Sequence, residues 1–157
     1  AKRKQNNDTA KYPISNENGI ESHIFQIKKD LPANVGGVMW LAMAGAKYSP
    51  FVPYYGNIKA TYDTYHVKGT SYNENSYYWV AENVNLNMEN ASDDVKNNYL
   101  KKIKNFENKK IAEQNSLNKK IAKMTPKEAE KFATELALKN GKEGYELVKN
   151  EENSLKK

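Results

Sequence analysis

The sequence predicts an α+β fold, and three observations lead there. Two strand-like segments lie between residues 20 and 44, and a Tyr- and Pro-rich stretch follows them. From Ser76 onward the apolar residues recur at helical spacing. Strands first and helices after, without alternation, is the α+β order. A chain of 157 residues suits one domain and is short for two. We expect a flexible lead-in over residues 1–13, a strand-rich part over 14–75 and a helical region over 76–157, the last two forming one domain.

The lead-in is polar, with Asn6-Asn7-Asp8, and offers little to bury. Asn18-Gly19 is a turn signal. Ile20 to Lys28 then reads as a strand, with Ile20, Ser22 and Ile24 on one face and Glu21, His23, Phe25 and Ile27 on the other. Asp30 to Asn34 contains Pro32 and makes a turn. Gly36-Gly37 opens the run Val38 to Ala44, apolar on both faces, which suits a strand covered on both sides. The two strands are expected to pair antiparallel. Ala46 to Asn57 holds Pro50 and Pro53 and cannot be a regular central strand, because proline has no N–H for the ladder. Tyr62 to Asn75 reads as a surface loop.

Tyr78, Trp79, Glu82, Asn83 and Leu86 then recur at helical spacing. Ser92 with Asp93 and Asp94 marks a helix start, since short acids favour the positive helix end. That helix is expected to reach about Met124 on a thin stripe of Val95, Tyr99, Ile103, Phe106, Leu117 and Ile121. Thr125-Pro126-Lys127-Glu128 is a capping box with proline at the first helical position. Ala129, Phe132, Ala133 and Leu136 line one face of the next helix. Asn140-Gly141 is expected to close it, and residues 142–155 to form a weaker last helix.

Composition narrows the function classes. With no cysteine, the chain contains no disulfide, no thiolate metal site and no cysteine nucleophile. Two His without Cys give no metal signature, and Gly36-Gly37 lacks the three spaced glycines of a phosphate loop. No apolar run approaches the ~20 residues of a membrane span, and no apolar segment follows the basic start, so no membrane contact and a cytoplasmic location are expected. The net charge of +6 permits nucleic-acid binding. Lys101 to Lys123, however, is interleaved with Glu107, Glu113 and many Asn, and Arg is nearly absent, so a solvated lysine-rich surface is expected and no nucleic-acid partner.

Several words in order resemble a known family. Glu21-Ser22-His23-Ile24-Phe25-Gln26-Ile27, Asp30-Leu31-Pro32 and Gly36-Gly37-Val38-Met39-Trp40-Leu41-Ala42 are similar to the dipeptidase A family. The likeness continues through Tyr48-Ser49-Pro50-Phe51-Val52-Pro53-Tyr54-Tyr55-Gly56-Asn57-Ile58 and is echoed at Ser76-Tyr77-Tyr78-Trp79. That resemblance implies an N-terminal-nucleophile (Ntn) hydrolase related to bile-salt hydrolases and penicillin V acylases. It also implies a four-layer sandwich of helices, sheet, sheet and helices, and hydrolysis of dipeptides without metal or cofactor. The nucleophile it implies is a cysteine at the mature N-terminus, activated by its own α-amine of pKa about 8. Here the cysteine and the family's N-terminal half are both missing. The expectation is therefore a partial Ntn-hydrolase sandwich, a C-terminal part inactive alone, in which no residue of the chain is catalytic. The alternatives are a non-catalytic interaction module and a basic nucleic-acid binder.

Substrate-pocket candidates follow from chemistry beside that resemblance. His23 is either one wall of the site or an ordinary strand histidine. Asn16 and Asn18 are of the type that helps hold an oxyanion in the wider class, yet no motif assigns the role among so many Asn. Tyr54, Tyr55 and Asn57 lie in the proline-stiffened stretch, which either lines a dipeptide pocket or packs its aromatics on the core. The missing half would also leave a sheet face bare, so a homo-oligomer is expected.

Overall fold

The structure is a computed structural model that describes residues 19–156. Strand β1 spans Glu21–Ile27, β2 Gly37–Met43 and β3 Val52–Tyr55; helix α1 spans Tyr77–Asn90, α2 Asp93–Ile121 and α3 Pro126–Leu155. The strands form one antiparallel sheet in the order β1-β2-β3, so the α+β class and the first strand pair are as expected. The β1–β2 connection closes with Gly36 at φ +71°, a left-handed turn conformation that favours glycine.

The sequence reading excluded a regular central strand from residues 46–57, and the third strand found there lies at the sheet edge. Val52–Tyr55 pairs with β2 and includes Pro53, opposite Trp40. It is the last strand of the sheet, and an edge strand tolerates a residue that donates nothing on one side. The carbonyl of Pro53 accepts from the Asn140 carboxamide at 3.1 Å, so α3 seals part of this edge.

Register sorts the side chains into two faces. On one, Val38, Trp40 and Ala42 of β2 are buried, and Tyr55 of β3 lies beside Val38. This face packs on Ile121 of α2 and on Ala129 and Ala133 of α3. A large apolar side chain such as Val38 or Ile121, taken fully from water, contributes about 1.5–3 kcal/mol. On the opposite face Met39, Leu41 and Met43 are only partly buried, and Phe25 and Ile27 of β1 are 68% and 86% exposed. Cover on both sides of β2 was expected; full burial is found on one.

The helices follow their caps more closely than their stripes. The Ser92 hydroxyl accepts from the Val95 N–H and starts α2. Thr125 and Glu128 form the expected reciprocal box at the start of α3. In α1 the buried apolar residues are Tyr77, Val80, Ala81, Val84 and Met88, a stripe offset from the one read in the sequence. The expected end of α3 at Asn140-Gly141 is wrong: the helix runs unbroken to Leu155, absorbing the separate last helix. Gly141 and Gly144 serve close packing. A Cβ at Gly141 would lie 2.9 Å from the Tyr62 Cβ and 3.1 Å from the Tyr54 hydroxyl; one at Gly144 would lie 2.6 Å from Val52 Cγ2.

Candidate functional site

The expected pocket residues that the structure describes do not converge on one cavity. Asn16 and Asn18 lie outside the described residues. His23 sits on the partly open face of β1, its side chain 46% exposed, with Nδ1 3.5 Å from Glu21 Oε1 and its ring edge-on to Phe25 at 5.0 Å. Strand alternation sends Tyr54 and Tyr55 to opposite faces of β3.

Both tyrosines are core residues. The Tyr54 hydroxyl donates to that of Tyr65 at 2.6 Å, inside a buried group that includes Tyr77. Burial is the main cause that pushes the phenols of Tyr54, Tyr65 and Tyr77 above their ordinary value, so none can supply a phenolate at neutral pH. The Tyr55 hydroxyl donates to Asn118 Oδ1 at 2.6 Å. Burial, with a smaller contribution from the Asp30 charge, pushes its pKa up to about 12. Of the two readings of this segment, the packing one describes what these side chains do in this chain.

Asn57 differs. Both polar atoms of its carboxamide are buried and find no partner among the described residues. It lines an open cavity of about 660 Å³ with Asn34, Lys59, Pro126, Lys127 and Glu130. An amide buried without partners costs roughly 1–3 kcal/mol, so Asn57 is the candidate with unused hydrogen-bonding capacity.

Sequence reasoning missed a cleft of about 400 Å³ between β1 and α2, walled by Ile24, Trp40, Phe51 and Ile111. Its polar groups are Glu107, whose Oε1 accepts from the Phe51 N–H at 2.9 Å, and Gln114, whose amide donates to Gln26 Oε1 at 2.8 Å. Burial raises the Glu107 carboxyl above its ordinary value, against the lowering effect of the Phe51 hydrogen bond. Such a cleft suits an apolar side chain flanked by amides. Its walls come from segments far apart in the chain, and no local signal joins them.

Charge is concentrated where α3 ends. Glu152 is almost fully buried and accepts from Tyr72, Asn83 and Lys149, with Lys156 3.2 Å away. Burial alone would raise its pKa; the hydrogen bonds outweigh that and hold it at about 2. These contacts tie the Tyr72 loop and α1 to α3. Lys110 is likewise buried, bonded to Asn140 and Glu143. Among the described residues no group of three or more His, Cys, Asp or Glu could hold a metal ion, and no helix is long and apolar enough to cross a membrane.

The family model of Peptidase family C69 matches residues 1–108. A probable dipeptidase B of Streptococcus pyogenes serotype M1 is 38% identical over 141 residues, covering 88% of this chain and 28% of the relative. Dipeptidase A of Lactobacillus helveticus is 32% identical over 68 residues, 43% of this chain and 14% of the relative. A probable dipeptidase of Latilactobacillus sakei is 34% identical over 61 residues, 39% of this chain and 13% of the relative. The chain thus spans little more than a quarter of the length of the streptococcal relative, and its sequence belongs to peptidase family C69.

Proposed function

We propose that this chain is one sheet-and-helix section of a dipeptidase acting on short peptides, with the cysteine nucleophile supplied by sequence outside these 157 residues. Family membership, the dipeptidase names of its relatives and the absence of cysteine support the reading. One observation carries it furthest. The sheet is buried under helices on one face and left apolar and partly open on the other, at Phe25, Ile27, Met39 and Leu41. In the sandwich that the family resemblance implies, such a face meets the second sheet, and contiguous apolar surface of this kind marks an interaction site.

The test is complementation. The purified chain alone is expected to leave dipeptides intact. Co-expressed with the remaining sequence of the streptococcal relative, started at the N-terminal cysteine that the family resemblance implies, it is expected to give dipeptide hydrolysis that thiol-blocking reagents abolish. Turnover by the chain alone, insensitive to those reagents, overturns the proposal.

A further inference from the structure

The outer edge of β1 has no partner strand among the described residues. The Ala44 N–H donates to the Ile20 carbonyl at 2.7 Å, which fixes the phase of the ladder. Because N–H and C=O groups alternate in direction along a strand, Ser22, Ile24 and Gln26 direct theirs to β2. Glu21, His23, Phe25 and Ile27 therefore direct theirs outward. Natural edges are guarded by lysine, proline or a bulge. Residues 21–27 contain neither lysine nor proline, and all seven pair with β2 in unbroken register, with no bulge. The side chains beside the edge are apolar and in water: Ile24 is 55% exposed, Phe25 68%, Ile27 86%, and Ile111 of α2, next to Ile24 in the cleft, 57%.

We propose that the occupant of this edge is a second copy of the chain, with the two β1 strands paired antiparallel about a two-fold axis at Ile24. This register overlaps the whole strand. It sets Ile24 against its own copy, His23 against Phe25 and Glu21 against Ile27. Every outward N–H and C=O from Glu21 to Ile27 then meets a partner, since the hydrogen-bonded pairs are the outward-facing residues. The side-chain faces also match. Ile24 meets Ile24 on the helix-covered side, over the cleft at Ile111, while His23 stacks on Phe25 on the open side, repeating the edge-on contact these rings make within one strand. Charge agrees: Lys29 of each copy stands diagonal to Glu21 of the other, within reach of a long side chain. No like charges oppose one another. Such an isologous contact closes as a dimer and leaves neither β1 edge free.

The chain's lack of cysteine makes the register directly testable. Light scattering of the full chain at micromolar concentration is expected to give twice the 17.9 kDa of one copy. Ile24→Lys places like charges on the axis at a position already exposed in the monomer; it is expected to abolish the dimer while leaving the circular dichroism spectrum unchanged. Ile24→Cys is expected to yield a disulfide-linked dimer under mild oxidation, because a non-hydrogen-bonded pair brings the two Cα atoms to about 4.5 Å. Phe25→Cys, whose own copy lies out of step, is expected to stay uncrosslinked. An Ile24→Cys chain that stays monomeric, its introduced thiol labelling freely, leaves the edge for a foreign strand and overturns the proposal. So does a dimer that survives Ile24→Lys, or one that cross-links through position 25 instead of 24.

Discussion

The Tyr55 hydroxyl on β3 donates a 2.6 Å hydrogen bond to the carboxamide oxygen of Asn118 on α2, and both residues are buried. The Asn118 nitrogen has no partner of its own among the described residues. Tyr55→Phe would therefore leave the whole amide unsatisfied, not merely remove one bond. A buried polar group stripped of its partner costs about 1–3 kcal/mol. We expect Tyr55→Phe to lower the urea unfolding midpoint by that equivalent, with an unchanged slope. The double substitution Tyr55→Phe, Asn118→Leu should recover part of the loss; a Tyr55→Phe midpoint equal to that of the parent would show that the bond does not hold α2 to the sheet.

Gly144 provides a test with opposite signs for two readings. At a helical position with room for a Cβ, replacing glycine by alanine gains about 0.4–1 kcal/mol, through the unfolded chain. In the interior of α3, a Cβ at Gly144 would sit 2.6 Å from Val52 Cγ2 and 3.0 Å from the Tyr77 hydroxyl. Overpacking of that kind costs about 1–3 kcal/mol. We expect Gly144→Ala to destabilise, and Gly141→Ala to do so against Tyr62 and Tyr54. A rise in the thermal midpoint for either would count against the close approach of α3 to the tyrosines.

These glycines also show where the sequence stops being readable. Asn140-Gly141 carries the local signature of a helix end, and nothing near it in the chain records that Tyr54 and Tyr62 press on it from distant segments. Local signals did survive folding: the Ser92 and Thr125 caps, the alternation of β1 and its pairing with β2 all depend on neighbours within a few residues or one hairpin. The α1 stripe was misplaced because the large aromatics Tyr78 and Trp79 are only half-buried, Trp79 donating to the Gly69 carbonyl, while small Ala81 and Val84 are fully buried in the core. Likewise Tyr54, Tyr55 and Asn57 are close in sequence, but strand alternation and long-range partners gave them three separate environments. The Glu107 cleft, joined across 56 positions by its bond to Phe51, left no trace in either segment.

The Thr125 cap gives a local check. Its hydroxyl accepts from the Glu128 N–H, and its own N–H donates to the Glu128 carboxylate. Thr125→Ala is expected to cost about 0.5–2 kcal/mol, whereas Thr125→Ser, which keeps the hydroxyl, should cost far less. Equal unfolding midpoints for alanine and serine would show that the cap does not anchor α3.

Glu152 should dominate the acid limb of the stability curve. Its carboxyl is held at about 2 in the folded chain against an ordinary value of 4.5, because Lys149, Tyr72, Asn83 and Lys156 favour the charged form more than burial opposes it. The unfolded chain therefore takes up this proton first. The stabilisation is complete above the ordinary value and drains away as the pH falls from 4.5 towards 2, with the unfolded state binding more protons throughout that window. Glu152→Gln keeps the shape but not the charge. It is expected to cost about 1.5–3 kcal/mol at neutral pH, the range for hydrogen bonds to a charged group. It should also flatten the pH dependence of the unfolding free energy between 4.5 and 2. Chemical denaturation of both proteins across that range measures the two effects separately. A Glu152→Gln chain that weakens at neutral pH yet keeps the parent's acid slope would place the acid sensitivity on another carboxylate.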